Sequence, residues 1–400
     1  MTKQHCFLTE GKNPRRSGRE SLRNCMQRIL IVENSRYVTG ALKSIARFAR
    51  TLSNEFEFHW AVTDAISDED LKELIGSDKF HRFKFVEISK KPGRLIMYFP
   101  QLIGNALKIK RLVHEENISV IHVNDLYNMV GAAVRVLNRD VKIVYHVRLL
   151  RTSYIGPFYD LFLAMIDRTA DALICCSNAV SKDVGDRKVP KTIIYDSEEF
   201  DNDDPGPAEL KPELRNIVYI GNILPGKGQD HAIATVKLLR ERGLDTKLRI
   251  VGKVDYSEIS RNYKNRLDGM ISDSDLETAV EFVGFQRDVA AEIRKADLVL
   301  NMSESESFSM VCLEALKAGV PLVASDCGGP GEIIEHMRSG WLVANRDVGA
   351  ASAAIETLAA DRDLRNRFSF EATKQARSRF NIYQNAGHLA GLYNSLLDKR

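Results

Sequence analysis

The sequence predicts an α/β chain of two doubly wound, Rossmann-like domains facing across a cleft. Three observations carry that prediction. The chain has 400 residues, enough for two or three domains. Short apolar runs alternate with longer segments of helical period along most of it, as a parallel sheet with crossover helices requires. One acidic, proline-bearing stretch, "DSEEFDNDDPGPAELKPELR" (196–215), has almost no large apolar residue and divides two such series.

Taken in order, residues 1–28 hold seven basic side chains (Lys3, Lys12, Arg15, Arg16, Arg19, Arg23, Arg28) against Glu10 and Glu20. They lack the apolar core of a signal peptide, so 1–27 reads as a basic mobile extension. The first domain, 28–195, opens with "RILIVEN" as a strand, "VTGALKSIARFARTL" as a helix and "FEFHWAV" as the next strand. "VIHVND", "KIVYHV" and "DALICCS" continue the rhythm. Residues 196–215 form the linker. The second domain, 216–378, has "NIVYIGN", "KLRIVG", "VEFVG", "DLVLNMS" and "PLVAS" as buried strands. The closing segment, 379–400, contains the amphipathic "FNIYQNAGHLAGLYNSLLDKR". No fixed-period repeat competes with this reading.

Composition excludes several functions. The 57 basic and 54 acidic residues leave a net charge of +3, too little for a nucleic-acid-binding surface. The best membrane-spanning candidate, Tyr154 to Ile166, is broken by Pro157 and Asp160. Six cysteines without CxxC spacing read as reduced core thiols, which places the chain in the cytoplasm and argues against a metal centre. Between Lys90 and Lys110, "KKPGRLIMYFPQLIGNALKIK" interleaves basic and bulky apolar residues. Two readings stand there: peripheral contact with the inner face of a membrane, or a core helix with snorkelling lysines.

Ligands of open parallel sheets sit beyond the carboxyl ends of the strands, so the loops there carry the chemistry. In "IVYIGNILPGKGQDHAIATVKLLRERG", Gly221, Gly226 and Gly228 let backbone N–H groups approach a phosphate, a helix N-terminus favours negative charge, and Lys227 adds a point cation. The loop fits most of a nucleotide-triphosphatase loop, but Gly228 and Gln229 replace the metal-binding hydroxyl. A plain tight turn with an exposed lysine is the other alternative. In "DLVLNMSESESFSMVCLEALKAGVPLVASDCGGPGEIIEHMRSGWLV", Glu306 and Glu314 are placed to accept hydrogen bonds from sugar and ribose hydroxyls, with solvated carboxylates as the bland alternative. Gly328, Gly329 and Gly331 offer further close backbone approach.

Over residues 216–345 these motifs, in this order and spacing, resemble the retaining glycosyltransferases of family 4, the group 1 glycosyltransferases with the two-domain GT-B fold. The first domain resembles them more loosely, through "ILIVENSRYVTGALKSI", "VIHVND", "KIVYHV" and "ADALICCSNAVSKDV". The resemblance implies a hexosyltransferase that takes a nucleotide-diphosphate sugar, such as a UDP- or GDP-sugar, to a glycan, lipid-linked or small-molecule acceptor, with no metal or other cofactor. It implies that the first domain, 28–195, takes the acceptor and the second, 216–378, the nucleotide-sugar donor, that Lys227 holds the diphosphate and Glu314 the ribose, and that Gly40 approaches the diphosphate from the first domain. It places Glu306 beside the transferred sugar, His146 near the anomeric centre, the backbone of Gly284 and Phe285 at the nucleobase, and the final helix across the first domain. Its usual arginine partner to the lysine is Asn222 here, which supplies no charge; Arg148 and Arg151 are candidate substitutes. The alternatives are a noncatalytic nucleotide-sugar-binding scaffold and a sugar phosphorylase or epimerase of the same fold.

Overall fold

The computed structural model describes residues 26–85, 92–153, 158–200 and 206–398. Residues 1–25 of the basic extension, Lys90 and Lys91, and the linker residues 201–205 lie outside them.

The chain folds into two all-parallel sheets. The first contains β1 (Gln27–Glu33), β2 (Phe56–Thr63), β3 (Phe80–Phe83), β4 (Ile118–Val123), β5 (Lys142–Val147), β6 (Ala172–Cys175) and β7 (Lys191–Ile193), in the order β3-β2-β1-β4-β5-β6-β7. Its crossovers are α1 (Gly40–Thr51), α2 (Asp68–Ile75), α3 (Pro92–Glu115), α4 (Val130–Leu137), α5 (Phe158–Thr169) and α6 (Asn178–Val184). The second contains β8 (Asn216–Ile220), β9 (Lys247–Val251), β10 (Val280–Gly284), β11 (Leu298–Asn301), β12 (Leu322–Asp326) and β13 (Trp341–Ala344), in the order β10-β9-β8-β11-β12-β13. Around it lie α7 (Gln229–Glu241), α8 (Glu258–Ser272), α9 (Val289–Lys295), α10 (Met310–Ala318), α11 (Pro330–Ile333), α12 (Val348–Ala360) and α13 (Arg362–Arg379). The tandem doubly wound architecture predicted from the alternating apolar runs is the one observed.

Strands covered on both faces read as continuous apolar runs, and Ile29, Leu30 and Ile31 are fully buried for that reason. Helices begin at side-chain caps: Thr39, Ser67, Ser177 and Ser257 each accept a backbone N–H from the first turn of the helix that follows. The last helix, α14 (Ile382–Leu397), returns to the first domain. Ile382, Ala386, Leu389 and Tyr393 bury completely against α1 and the first sheet. A pair of backbone bonds, Glu198 N to Phe380 O and Ile382 N to Glu198 O, both 2.9 Å, fastens its start to the chain leaving β7.

Candidate active site

Chain order reverses between β8 and β11 in the second sheet and between β1 and β4 in the first, so the loops leaving these strands part and leave a crevice at each carboxyl edge. The loop after β8 is bound to the loop after β11. Buried Tyr219 donates its hydroxyl to the Lys227 carbonyl and accepts the Met302 N–H at 3.2 Å. Glu304 N donates to Gly226 O at 2.9 Å. Gly228 has φ of +77°, and a Cβ there would stand 2.0 Å from the Met302 carbonyl, so no other residue fits between the two loops. It is also the N-cap of α7, which brings the positive end of that helix to the loop, while the Asp230 and His231 N–H groups of the first turn go to Tyr263 OH and Asp230 Oδ1.

With its backbone pinned, Lys227 keeps only its side chain to move. Its Nζ donates to Glu306 Oε1 at 2.9 Å, and the Glu306 charge raises the ammonium above the ordinary lysine value, so Lys227 is a cation. Glu306 is fixed from behind: its N–H reaches the Cys327 carbonyl at 3.3 Å and its carbonyl accepts Gly329 N–H at 2.7 Å. A Cβ at Gly329 would lie 2.2 Å from the Phe308 carbonyl, and Gly328 has φ of +120° beside it. Ser309, which starts α10, has φ of +86°, a conformation costly for a serine, and its hydroxyl accepts from Asn301 at 3.2 Å.

Glu314 lies on α10, turned toward the first domain. Burial pushes its carboxyl up to about 7, and the nearby Glu198 carboxylate adds to the rise, against the pull of Arg47, Lys43 and Lys317. Lys43 and Arg47 belong to α1, whose first residue is Gly40; a Cβ on Gly40 would come within 3.9 Å of Met310. The two helix starts therefore abut across the cleft. Gly221 and Asn222 leave β8 at the same edge, and the Asn222 carbonyl accepts Gln229 Nε2 at 2.9 Å. Gly284, with φ of +81°, accepts Gly252 N–H at 3.0 Å, and the Phe285 ring beyond it is 64% exposed.

The structure thus brings Lys227 and Glu306 together, with Gly221, Asn222, Gly328 and Gly329 in the same or bonded loops and Glu314 and Gly40 on the abutting helices. It does not bring His146 to them. That side chain is buried inside the first domain, where Nδ1 stands 3.3 Å from His122 Nε2. His122 Nδ1 in turn stands 2.6 Å from the Tyr393 hydroxyl. Burial, with Arg148 adding, holds both histidines well below the usual value, His122 at about 3, so both are neutral. When Tyr393 donates to His122 and His122 to His146, the remaining proton lies on His146 Nε2, a buried donor with no partner among the described residues. The arginines weighed as substitutes for a charge at position 222 are bound elsewhere: Arg148 to Asp196 and Asn124, Arg151 to Asp160.

Two groups escaped the sequence reading. One is the buried polar cluster of Glu33, Ser44, Asn124, Arg148 and Asp196 under the first domain's carboxyl edge. The polar end of "VIHVND" was its one signal. The other is Glu332, whose carboxylate accepts from Asn178 N at 2.7 Å, Ala179 N at 2.5 Å and Tyr195 OH at 3.2 Å, tying α11 of the second domain to the start of α6 in the first. Among the described residues, no group of three or more His, Cys, Asp or Glu side chains is placed to hold a metal ion.

Known proteins agree with this architecture. Residues 201–375 match the family model of the glycosyl transferases group 1, and residues 38–196 match that of glycosyltransferase family 4. N-acetyl-alpha-D-glucosaminyl L-malate synthase of Bacillus anthracis is 25% identical over 333 residues, covering 78% of this chain and 84% of that protein. Glycogen synthase of Mycobacterium tuberculosis is 31% identical over 192 residues, 47% of this chain and 42% of that protein. Among solved structures, Anabaena HepE in complex with UDP and glucose superimposes with a TM-score of 0.77 at 21% identity, covering 92% of this chain and 99% of that one. Sucrose-phosphate synthase from Thermosynechococcus elongatus gives 0.75 at 18% identity, covering 94% and 100%. The two family models between them account for both halves of the chain, which therefore belongs to the group 1 glycosyltransferases of family 4, with the GT-B fold.

Proposed function

We propose that this chain is a retaining, metal-independent hexosyltransferase that moves a sugar from a nucleotide-diphosphate sugar to a hydroxyl of a glycan, lipid-linked or small-molecule acceptor. The observation that carries the proposal is the Lys227–Glu306 pair at 2.9 Å, set between the N-terminus of α7 and the bridged glycine loop at 328–329. Breaking a glycosyl phosphate bond builds positive charge on the sugar and negative charge on the departing diphosphate. Lys227 and the positive end of the α7 helix dipole stabilise the second, without a metal. Glu306 stays beside the sugar when the ammonium turns to phosphate, and Glu314 takes the ribose hydroxyls. His146, at the carboxyl end of β5 with its Nε2 unpartnered among the described residues, orients the donor sugar near the anomeric centre. Retention follows if the acceptor attacks the face from which the diphosphate leaves, its proton passing to the leaving phosphate.

HepE, whose fold this chain shares, is known with UDP and with UDP-glucose, which makes UDP-sugars the first donors to test and GDP-sugars the second. Nucleoside diphosphate release and thermal shift across a donor panel test the reading. At least one donor should raise the melting temperature and release its diphosphate with an acceptor extract. Lys227→Ala should raise the donor dissociation constant by roughly tenfold or more, the usual worth of a charged hydrogen bond. Binding without turnover under every condition would instead support the scaffold reading.

A cytoplasmic position against a membrane surface is part of the proposal. On α3, Phe99, Ile103 and Leu107 are all more than half exposed at four-residue spacing, while Ala106, Ile109, Leu112 and Val113 of the same helix are buried. Lys108 is occupied by the Arg82 carbonyl and the Phe83 ring, leaving Lys110 and Arg111 exposed for anionic headgroups. Cosedimentation with anionic vesicles should fall when the three apolar residues become serine. No helix among the described residues is long and apolar enough to cross a membrane.

A further inference from the structure

The chain passes between its two domains twice, after β7 and before α14, and the pair of 2.9 Å backbone bonds at Glu198 holds the two passages side by side. The backbone of residue 198 is thereby fixed between the domains, and the residue is only 7% exposed. Burying a carboxylate is costly unless cations meet it. Two do, one from each domain. Arg47 of α1 places Nη1 2.7 Å from Glu198 Oε1, and Lys317 of α10 places Nζ 3.6 Å from Glu198 Oε2. Both cations are also tied to the same passage by backbone: Arg47 Nη1 donates to the Ser197 carbonyl at 2.7 Å, and Lys317 Nζ donates to the Glu199 carbonyl. From α14, Asn385 Nδ2 donates to Ser197 Oγ at 2.9 Å.

Lys317 follows Glu314 by three residues on α10, so the two share a face of that helix. The ion bridge through Glu198 therefore lies beside a second carboxyl. Facing Glu314 are the Glu198 carboxylate, which opposes its ionisation, and Arg47, Lys43 and Lys317, which favour it. Arg50 and Glu199 pair with each other next to this group at 3.7 Å. Arg47 and Lys317, two of the three cations that favour the Glu314 charge, are thus already in contact with Glu198. Two carboxyls compete for one pair of cations. Glu198, with its backbone bonded in place, holds them, and Glu314 keeps its proton up to about pH 7.

We propose that Glu198 is a positioning residue for the donor: it occupies the two cations that would otherwise hold the charge of Glu314, so that Glu314 gives up its proton as the ribose arrives, and the ribose contact is tied to the ion bridge that joins the domains. The proposal rests on the transferase reading above, in which Glu314 takes the ribose hydroxyls.

Calorimetric titration with UDP at pH 6, 7 and 8.5, on the unaltered full chain, Glu198→Gln and Arg47→Met, tests it. Titration of the diphosphate itself is common to all three. Removing the like charge should move the pH at which affinity rises down by about one unit, so that at pH 6, scaled to its own affinity at pH 8.5, Glu198→Gln binds UDP about fivefold tighter than the unaltered chain. Removing a cation in Arg47→Met should move the rise to higher pH. A merely structural role changes affinity by one factor at every pH, and a rise left in place by both variants overturns the proposal. Melting temperatures of the ligand-free chains at pH 6 and 8 read the same competition without a donor. Relative to the unaltered chain, stability should shift with pH in favour of Glu198→Gln and against Arg47→Met. Parallel curves overturn the proposal here too. A chain that binds no nucleoside diphosphate sinks the transferase reading, and the melting curves then decide the role of Glu198 alone.

Discussion

Glu314 shows how one side chain connects stability to ligand. Its carboxyl, raised to about 7 by burial and then by Glu198, keeps its proton in the folded chain where an exposed glutamate has lost it. The folded state therefore binds more protons than the unfolded state between about pH 4.5 and 7, so ionising Glu314 costs stability as pH rises through that window. In the proposed ribose contact the ionised carboxylate is the stronger acceptor, so the donor would pull the other way. Donor affinity should rise between pH 6 and 8, and Glu314→Gln should flatten that rise while lifting the ligand-free melting temperature at pH 8 by a few degrees. Calorimetric titration at three pH values checks the first, and differential scanning fluorimetry the second. An affinity independent of pH in the unaltered chain would remove Glu314 from the ribose contact.

Elements differ in how far the sequence exposes them. The ten strands with four or more residues of continuous apolar or well-alternated character were legible, because burial on both faces leaves a run that no helix period mimics. Edge strands β3 ("FHRF", half-buried), β7 (three half-buried residues) and β13 were not singled out, since an edge strand covers little surface and need not be apolar. The glycine loop was legible because glycine marks positions where backbone leaves no room for a side chain, as Gly228 does against the Met302 carbonyl. Glu332 and Asn178 are 154 residues apart, and no local pattern announces their meeting. That contact makes a testable hinge fastening. Glu332→Ala removes the acceptors for Asn178 N and Ala179 N at the start of α6, and should widen the ligand-free chain in small-angle scattering, with UDP restoring the compact form. Gly228→Ala probes the loop itself. A Cβ 2.0 Å from the Met302 carbonyl at φ of +77° forces the two loops apart, which should destabilise the chain by about 1–3 kcal/mol in urea unfolding and weaken the donor more than Asn222→Ala does.

Across the molecule, α14 is joined to β4 and β5 of the first sheet through a neutral relay: Tyr393 at 2.6 Å from His122, and His122 at 3.3 Å from His146. Both histidines have folded-state values far below the unfolded 6.5, so the unfolded chain binds more protons below pH 6.5, and stability falls as pH drops from there toward about 3. Each contributes a slope of about 1.4 kcal/mol per pH unit in that window. His81, depressed by burial, adds in the same direction. Glu314 opposes them between 7 and 4.5 with one unit of the same slope, so a net loss of at least about 1.4 kcal/mol per unit remains from two histidines against one carboxyl. Over two pH units that is a sizeable share of the 5–15 kcal/mol by which a typical domain is stable. Urea midpoints measured from pH 8 to 5 should therefore fall below pH 6.5. The fall should steepen in Glu314→Gln, which removes the opposing group, and become shallower in His122→Asn, which removes one titrating ring. Tyr393→Phe leaves the His122 ring without its partner and should lower the midpoint at every pH by the cost of an unmet buried group, about 1–3 kcal/mol. Equal slopes in all of these chains would mean that the histidines do not stay neutral when the last helix is docked.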